Sequence, residues 1–109
     1  MRRGDVVTVA LSGDYGKPRP AVVVQSNALP ESHASVVICQ MTSAISSASN
    51  FRITIEPTNG NGLRTISQVM ADKPVAILRE RAGRVIGHLD ASDLDRVDVA
   101  LAFVLGLSG

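Results

Sequence analysis

With 109 residues, 45 % of them apolar and 19 % charged, the chain can bury one modest core and is too apolar to be disordered. A net charge of +1 excludes the broad basic field that marks many nucleic-acid binders. A lone cysteine, Cys39, excludes an internal disulfide and any cysteine-based zinc spacing.

Charge is unevenly spread. Arg2, Arg3, Lys17 and Arg19 make the N-terminal part mildly basic, so any nucleic-acid contact would lie there, while Asp90, Asp93, Asp95 and Asp98 crowd near the end. The apolar run behind Met1 to Asp5 is too short and interrupted for a signal peptide, and the longest apolar stretch, Val99 to Leu105, is too short to cross a bilayer. We expect a cytoplasmic protein with no membrane contact, folded as one domain over residues 1–109.

In chain order, Asp5 to Leu11 reads as a strand and Ser12 to Pro18 as a loop, from its Gly and Pro content. Ala21 to Gln25 is nearly all apolar, as in a strand buried on both faces, and Ser35 to Met41 reads as another strand. Thr42 to Asn50, rich in Ser and Ala, reads as a flexible loop. Phe51 to Ile55 alternates like a half-buried strand, and Asn59-Gly60-Asn61-Gly62 is a turn signal. Weaker strands are expected at Thr65 to Val69, Val75 to Leu78 and Arg84 to His88. A helix capped by Asp90 or Ser92 closes the chain, with Leu94, Val97, Leu101, Val104 and Leu105 as its apolar stripe. Val99, Ala100 and Phe103 add a second apolar face, for a partner subunit or for a groove in the protein's own sheet. The pattern predicts an α+β fold: a small, mostly antiparallel, barrel-like sheet with a C-terminal helix.

Several kinds of site are missing, among them a phosphate loop and a nucleophile elbow. His33 and His88 read as solvated or structural, Cys39 as a small buried hydrophobe, and the late aspartates as a solvated helix face rather than a cation site. The informative segment is Lys17-Pro18-Arg19-Pro20, directly before an apolar strand. Two prolines restrict the backbone on either side of a guanidinium, which suits a bidentate grip on phosphate. On composition alone, an ordinary surface Arg at a strand mouth is favoured. Thr42 and Ser43 end a strand and can bind phosphate or simply close the strand.

Taken in order, these residues resemble the MazF/PemK (Kid) toxins of type II toxin–antitoxin systems, in the CcdB/PemK-like superfamily. The likeness is carried by Arg3-Gly4-Asp5-Val6-Val7, by Arg19-Pro20 with Ala21 to Asn27, and by a strand ending in Thr42-Ser43. Gly62-Leu63 with Ser67, Asp72-Lys73 with Val75 to Ile77, Arg84 to Leu89 and the last helix extend it over nearly the whole chain. The resemblance implies an SH3-like barrel, a homodimer and a toxin that cuts single-stranded mRNA without a metal or cofactor, through a 2′,3′-cyclic phosphate. It implies Arg19 and Thr42 as the catalytic pair. Lys17, Asn27, Ser43 and Asp72 are implied RNA contacts. Leu101, Val104 and Leu105 are expected at a dimer interface or in the core. It also implies a cognate antitoxin whose acidic tail would meet Arg19, Lys17 and Arg52.

Two positions depart from the PemK-like pattern: the loop before Arg19 lacks a His carried by some members, and Met70 stands where those members have Arg. The Arg19/Thr42 pair fits the MazF-like branch. Two other functions compete. A CcdB-like gyrase poison is disfavoured by a C-terminus without Trp, and a catalytically weak binding module is motivated by the two departures.

Overall fold

The computed structural model describes residues 1–10, 17–48 and 50–108. The expected loop from Ser12 to Pro18 lies outside them except for Lys17 and Pro18. The described strands are β1 (Asp5–Val9), β2 (Arg19–Val23), β3 (Ser35–Thr42), β4 (Arg52–Ile55), β5 (Ser67–Met70), β6 (Val75–Leu78) and β7 (Ala82–His88). A 3₁₀ turn at Arg79–Arg81 joins β6 to β7, and helix α1 (Ala91–Val104) follows. The strands pair only antiparallel, in the order β4-β5-β3-β2-β1-β7. The long β3 is the spine. Along one edge it pairs with β2; along the other, Ser35 to Ile38 pair with β6 and Met41 to Thr42 with β5.

Strict alternation along β1, β2 and β3 sorts side chains into two cores. Val6, Val22, Val24, Cys39 and Met41 join Ile53, Ile55, Val69, Leu89, Val97 and Ala100 on one face. Val7, Val9, Ala21, Val23, Val36 and Ile38 join Ile77 on the other. This is why Ala21 to Gln25 is buried throughout: each of its faces meets a core. β2 starts two residues earlier than its apolar run because proline restricts the residue before it to extended geometry, and Pro20 follows Arg19.

The predicted barrel is an open one. β4 and β7 end the ladder without pairing to each other. At this seam the Thr58 to Gly62 turn crosses β7: the His88 amide donates to the Gly60 carbonyl at 2.8 Å. Buried Asn61 shapes the turn, accepting from the Thr58 and Leu63 amides (both 3.0 Å) and donating to the Glu56 carbonyl (2.8 Å).

Helix α1 packs on the first core through Val97 and Ala100, flanked by Leu94 and Leu101. Burying Val97 contributes about 1.5–3 kcal/mol. The expected stripe therefore shifts. Ala100, assigned from sequence to the second face, is core; Val104 is only half-buried and Leu105 is 58 % exposed. Asp90 is the N-cap, accepting from the Asp93 amide at 2.8 Å. The other end closes in a Schellman motif: Gly106 has φ 72°, its amide donates to the Phe103 carbonyl, and the Leu107 amide donates to the Ala102 carbonyl. The late aspartates serve structure: Asp90 caps, Asp93 pairs with Arg96, and Asp98 pairs with Arg3.

Gly62 and Gly106 allow a matched test, since both have positive φ. A Cβ on Gly62 would lie 2.1 Å from the Ile86 carbonyl oxygen, whereas one on Gly106 meets nothing within 4 Å. Gly106→Ala should cost about 1–2 kcal/mol, the left-handed penalty alone. Gly62→Ala should cost clearly more and lower Tm by at least roughly 8 °C in thermal denaturation.

Candidate functional site

Arg19 opens β2 and Thr42 ends β3, at the same end of one ladder. Ala21 pairs with Gln40, and two residues further along each strand lie Arg19 and Thr42. Alternation puts Arg19 on the face of Ala21 and Val23, and Thr42 on the face of Val36 and Ile38. These are the same face of the sheet. Across the other edge of β2, Arg19 pairs with Val9. The Thr42 Oγ1 accepts from the Ala44 amide at 3.1 Å, which leaves its own O–H to donate elsewhere. An anion at this ladder end would therefore meet a guanidinium from one strand and a hydroxyl from the next.

Beside this pair a cleft of about 790 Å³ opens over the first core. Thr8 of β1, Pro18 to Pro20, Met41, Ser43, the segment Gly62 to Thr65 with Ser67, and Arg84 to Ile86 of β7 line it. Arg19 belongs to this wall. Thr42 does not; its neighbours Met41 and Ser43 do. Among the described residues, three arginines and no carboxylate border the cleft.

The loop after Thr42, expected to be flexible, is pinned. Buried Gln68, the register partner of Thr42, accepts from the Ser46 amide (2.9 Å). Its Nε2 donates to the Ser46 carbonyl (2.9 Å) and to Thr54 Oγ1 (3.1 Å). Sequence reading passed over Gln68, although a glutamine between apolar neighbours on a buried strand must have hydrogen-bond partners. Among the described residues no three His, Cys, Asp or Glu side chains are grouped so as to hold a metal ion.

The chain matches, over residues 2–105, the family model described as the PemK-like, MazF-like toxin of type II toxin–antitoxin systems. It belongs to this toxin family. It is 40 % identical, over the full length of both chains, to the probable endoribonuclease MazF of Mycolicibacterium smegmatis. It is 30 % identical to the endoribonuclease MazF9 of Mycobacterium tuberculosis, with 98 % of each chain covered. Its fold superposes with a TM-score of 0.84, at 23 % identity, on a mycobacterial endoribonuclease solved in complex with its cognate antitoxin, covering 100 % of this chain and 98 % of the other. A MazE–MazF structure from Deinococcus radiodurans gives 0.79 at 25 % identity, covering 99 % and 97 %.

The other residues expected to touch RNA in this MazF-like toxin are dispersed. Lys17 is exposed next to Pro18 at the cleft. Asn27 lies beyond the opposite end of β2, where its Oδ1 accepts from the Arg3 amide at 2.8 Å. Arg3 is likewise structural: its Nε donates to the Val24 carbonyl at 3.0 Å, and its guanidinium pairs with Asp98 on α1. The basic N-terminal part is thus split between two ends of the sheet. Asp72 follows β5 and is held by Arg52 through two bonds, 3.0 and 3.3 Å. Arg52, expected to meet an acidic tail, is already matched with this carboxylate.

The hydrogen bonds from Arg52 hold the Asp72 carboxyl below its ordinary value of 3.8. A depressed carboxylate stabilises the fold above its unfolded pKa and loses that contribution as pH falls through the folded value. In urea titrations from pH 6 downward, wild type should lose stability steeply below about pH 4. Asp72→Asn should be less stable at pH 6 and show a shallower acid loss.

Proposed function

We propose that this MazF-like toxin is an endoribonuclease of the cytoplasm that cuts single-stranded mRNA by transesterification, with Arg19 and Thr42 as its catalytic residues. The observation that supports this reading is the common face and common ladder end of these two side chains, at the rim of a cleft that no carboxylate of the described residues borders. In the reaction, the 2′-oxygen next to the scissile bond attacks phosphorus and gives up its proton. The bond from phosphorus to the 5′-oxygen breaks and that oxygen gains a proton. A 2′,3′-cyclic phosphate and a 5′-hydroxyl result, and no water is consumed.

The chain's own residues supply electrostatics. Negative charge grows on the non-bridging oxygens as phosphorus becomes five-coordinate. Arg19 stabilises that charge with fixed, charge-assisted bonds. A guanidinium is a poor acid, so its part is electrostatic rather than proton transfer. Thr42 donates its hydroxyl to one of those oxygens and sets the phosphate in line. The amide of Ala44 fixes the orientation of that hydroxyl. Lys17 and Ser43 contact the flanking backbone.

The partner is a cognate antitoxin, as in the complexes formed by the mycobacterial and Deinococcus relatives. A second copy of the chain completes a homodimer. Val99 (71 % exposed) and Phe103 (53 %), one turn apart on α1, form an apolar face for such a contact, continued by Leu105.

Purified toxin should cut RNA in EDTA as fast as in magnesium and leave ends that phosphorylate at the 5′ position without prior phosphatase. Arg19→Ala should lower kcat/KM by at least roughly 10²–10³-fold, and Thr42→Val by about 10²-fold, in variants that remain folded by circular dichroism. EDTA-sensitive cleavage, or full activity in Arg19→Ala, would count against this mechanism.

A further inference from the structure

We propose that the cleft beside Arg19 seats the nucleotides flanking the scissile phosphate, and that Arg64 and Arg84 are its phosphate-binding residues. The inference rests on the nuclease reading and extends it to side chains that no motif singled out for RNA.

The charge of the cleft is the first support. Arg19, Arg64 and Arg84 reach it from three different elements, the start of β2, the segment between β4 and β5, and β7. The described ion pairs use Arg3, Arg52 and Arg96, and Arg79 donates to the His33 carbonyl. Arg64 and Arg84 are exposed and pair with no carboxylate among the described residues. In a protein of net charge +1 this concentrates positive potential in one concavity.

The second support is shape. Buried Met41 and Leu63 form an apolar floor, with Ile86 and Val85 beside it, and the hydroxyls of Thr8, Ser43 and Thr65 stand around it. Val85, 49 % exposed, gives a base apolar surface to lie on, and the guanidiniums beside it take phosphate. The volume falls within the ~300–1,000 Å³ of ligand sites.

The third support is rigidity. Arg64 follows a turn held by Asn61, whose Oδ1 accepts from the Leu63 amide, and Gly62 lies directly on the β7 backbone at Ile86. Both arginines are therefore presented from anchored backbone, which lowers the entropy lost on binding. An acidic peptide would match the charge but makes no use of the ring of hydroxyls, so RNA is the better fit.

The test is the affinity of a short random-sequence 2′-O-methyl RNA, which cannot be cut, measured against salt concentration. Arg64→Gln with Arg84→Gln should weaken binding at least tenfold and lower the salt slope by about 1.4, at ~0.7 per phosphate lost. Arg81→Gln, which removes an exposed charge outside the cleft, should change neither. Wild-type affinity and slope in the double variant would overturn the proposal. So would a variant that keeps RNA binding and loses only the acidic antitoxin tail. Cleavage of unmodified RNA by wild type separates the two readings. If wild type cuts and the variant binds normally, only this inference falls; if wild type does not cut, the nuclease reading falls.

Discussion

The register between β2 and β3 is the constraint on which the rest depends. Ala21 opposite Gln40 carries the apolar residues of both strands into two cores, and it brings the first residue of β2 beside the last residue of β3. A slip by one residue would turn Val22 and Cys39 out of one core and Ala21 and Ile38 out of the other, so the register is enforced from both faces at once. The geometry of the proposed catalytic pair is thereby a by-product of burial. Arg19 and Thr42 occupy the ends of strands whose middles have nowhere else to go. Arg19 is polar where the second core ends, and Thr42 is half-buried where β5 takes over from β6 along the β3 edge.

The unclosed seam of the sheet matters as much as its closed part. Because β4 and β7 do not pair, a turn and a cleft take the space that a continuous ladder would fill. At one end Asn61, Gly60 and Gly62 weld the turn to β7. At the other end the walls stay apart, and Arg64 and Arg84, which border the opening, pair with no carboxylate among the described residues. Among the described residues the paired carboxylates serve elsewhere: Asp93 and Asp98 on α1, Asp72 on Arg52, and Asp5 on His88, whose Nδ1 lies 2.9 Å away. A nearly neutral chain can in this way hold one basic cavity without a basic surface.

Local signals in the sequence were enough for the elements and for the class. β-branched runs between Gly- and Pro-rich turns marked the strands, and Val75 to Leu78 has the expected bounds. Asp90 was one of two candidate caps and is the one used. What was not legible depends on contacts distant in sequence. Periodicity alone could not tell that α1 turns Ala100 inward and Leu105 outward, because small and large apolar residues score alike until the facing surface is known. Composition made residues 42–50 look like a free loop, whereas Gln68, more than twenty positions away, holds it. Arg3 and Asn27 looked available for RNA and Arg52 for an acidic tail, and they are occupied by Asp98, the Arg3 amide and Asp72. Of the residues singled out, Arg19 and Ser43 line one cleft and Thr42 shares their ladder end, while Asn27 follows the other end of β2 and Asp72 is held by Arg52. Arg64 and Arg84 were invisible as a site because only the fold brings them alongside Arg19.

The most direct measurement is a double-mutant cycle on kcat/KM with Arg19→Ala, Thr42→Val and the combination, using one defined RNA. Side chains that act on the same phosphate lose their effect together, so the double variant should be scarcely slower than the slower single one. Losses that multiply in full would mean that the two groups act independently, and would contradict a shared phosphate between β2 and β3.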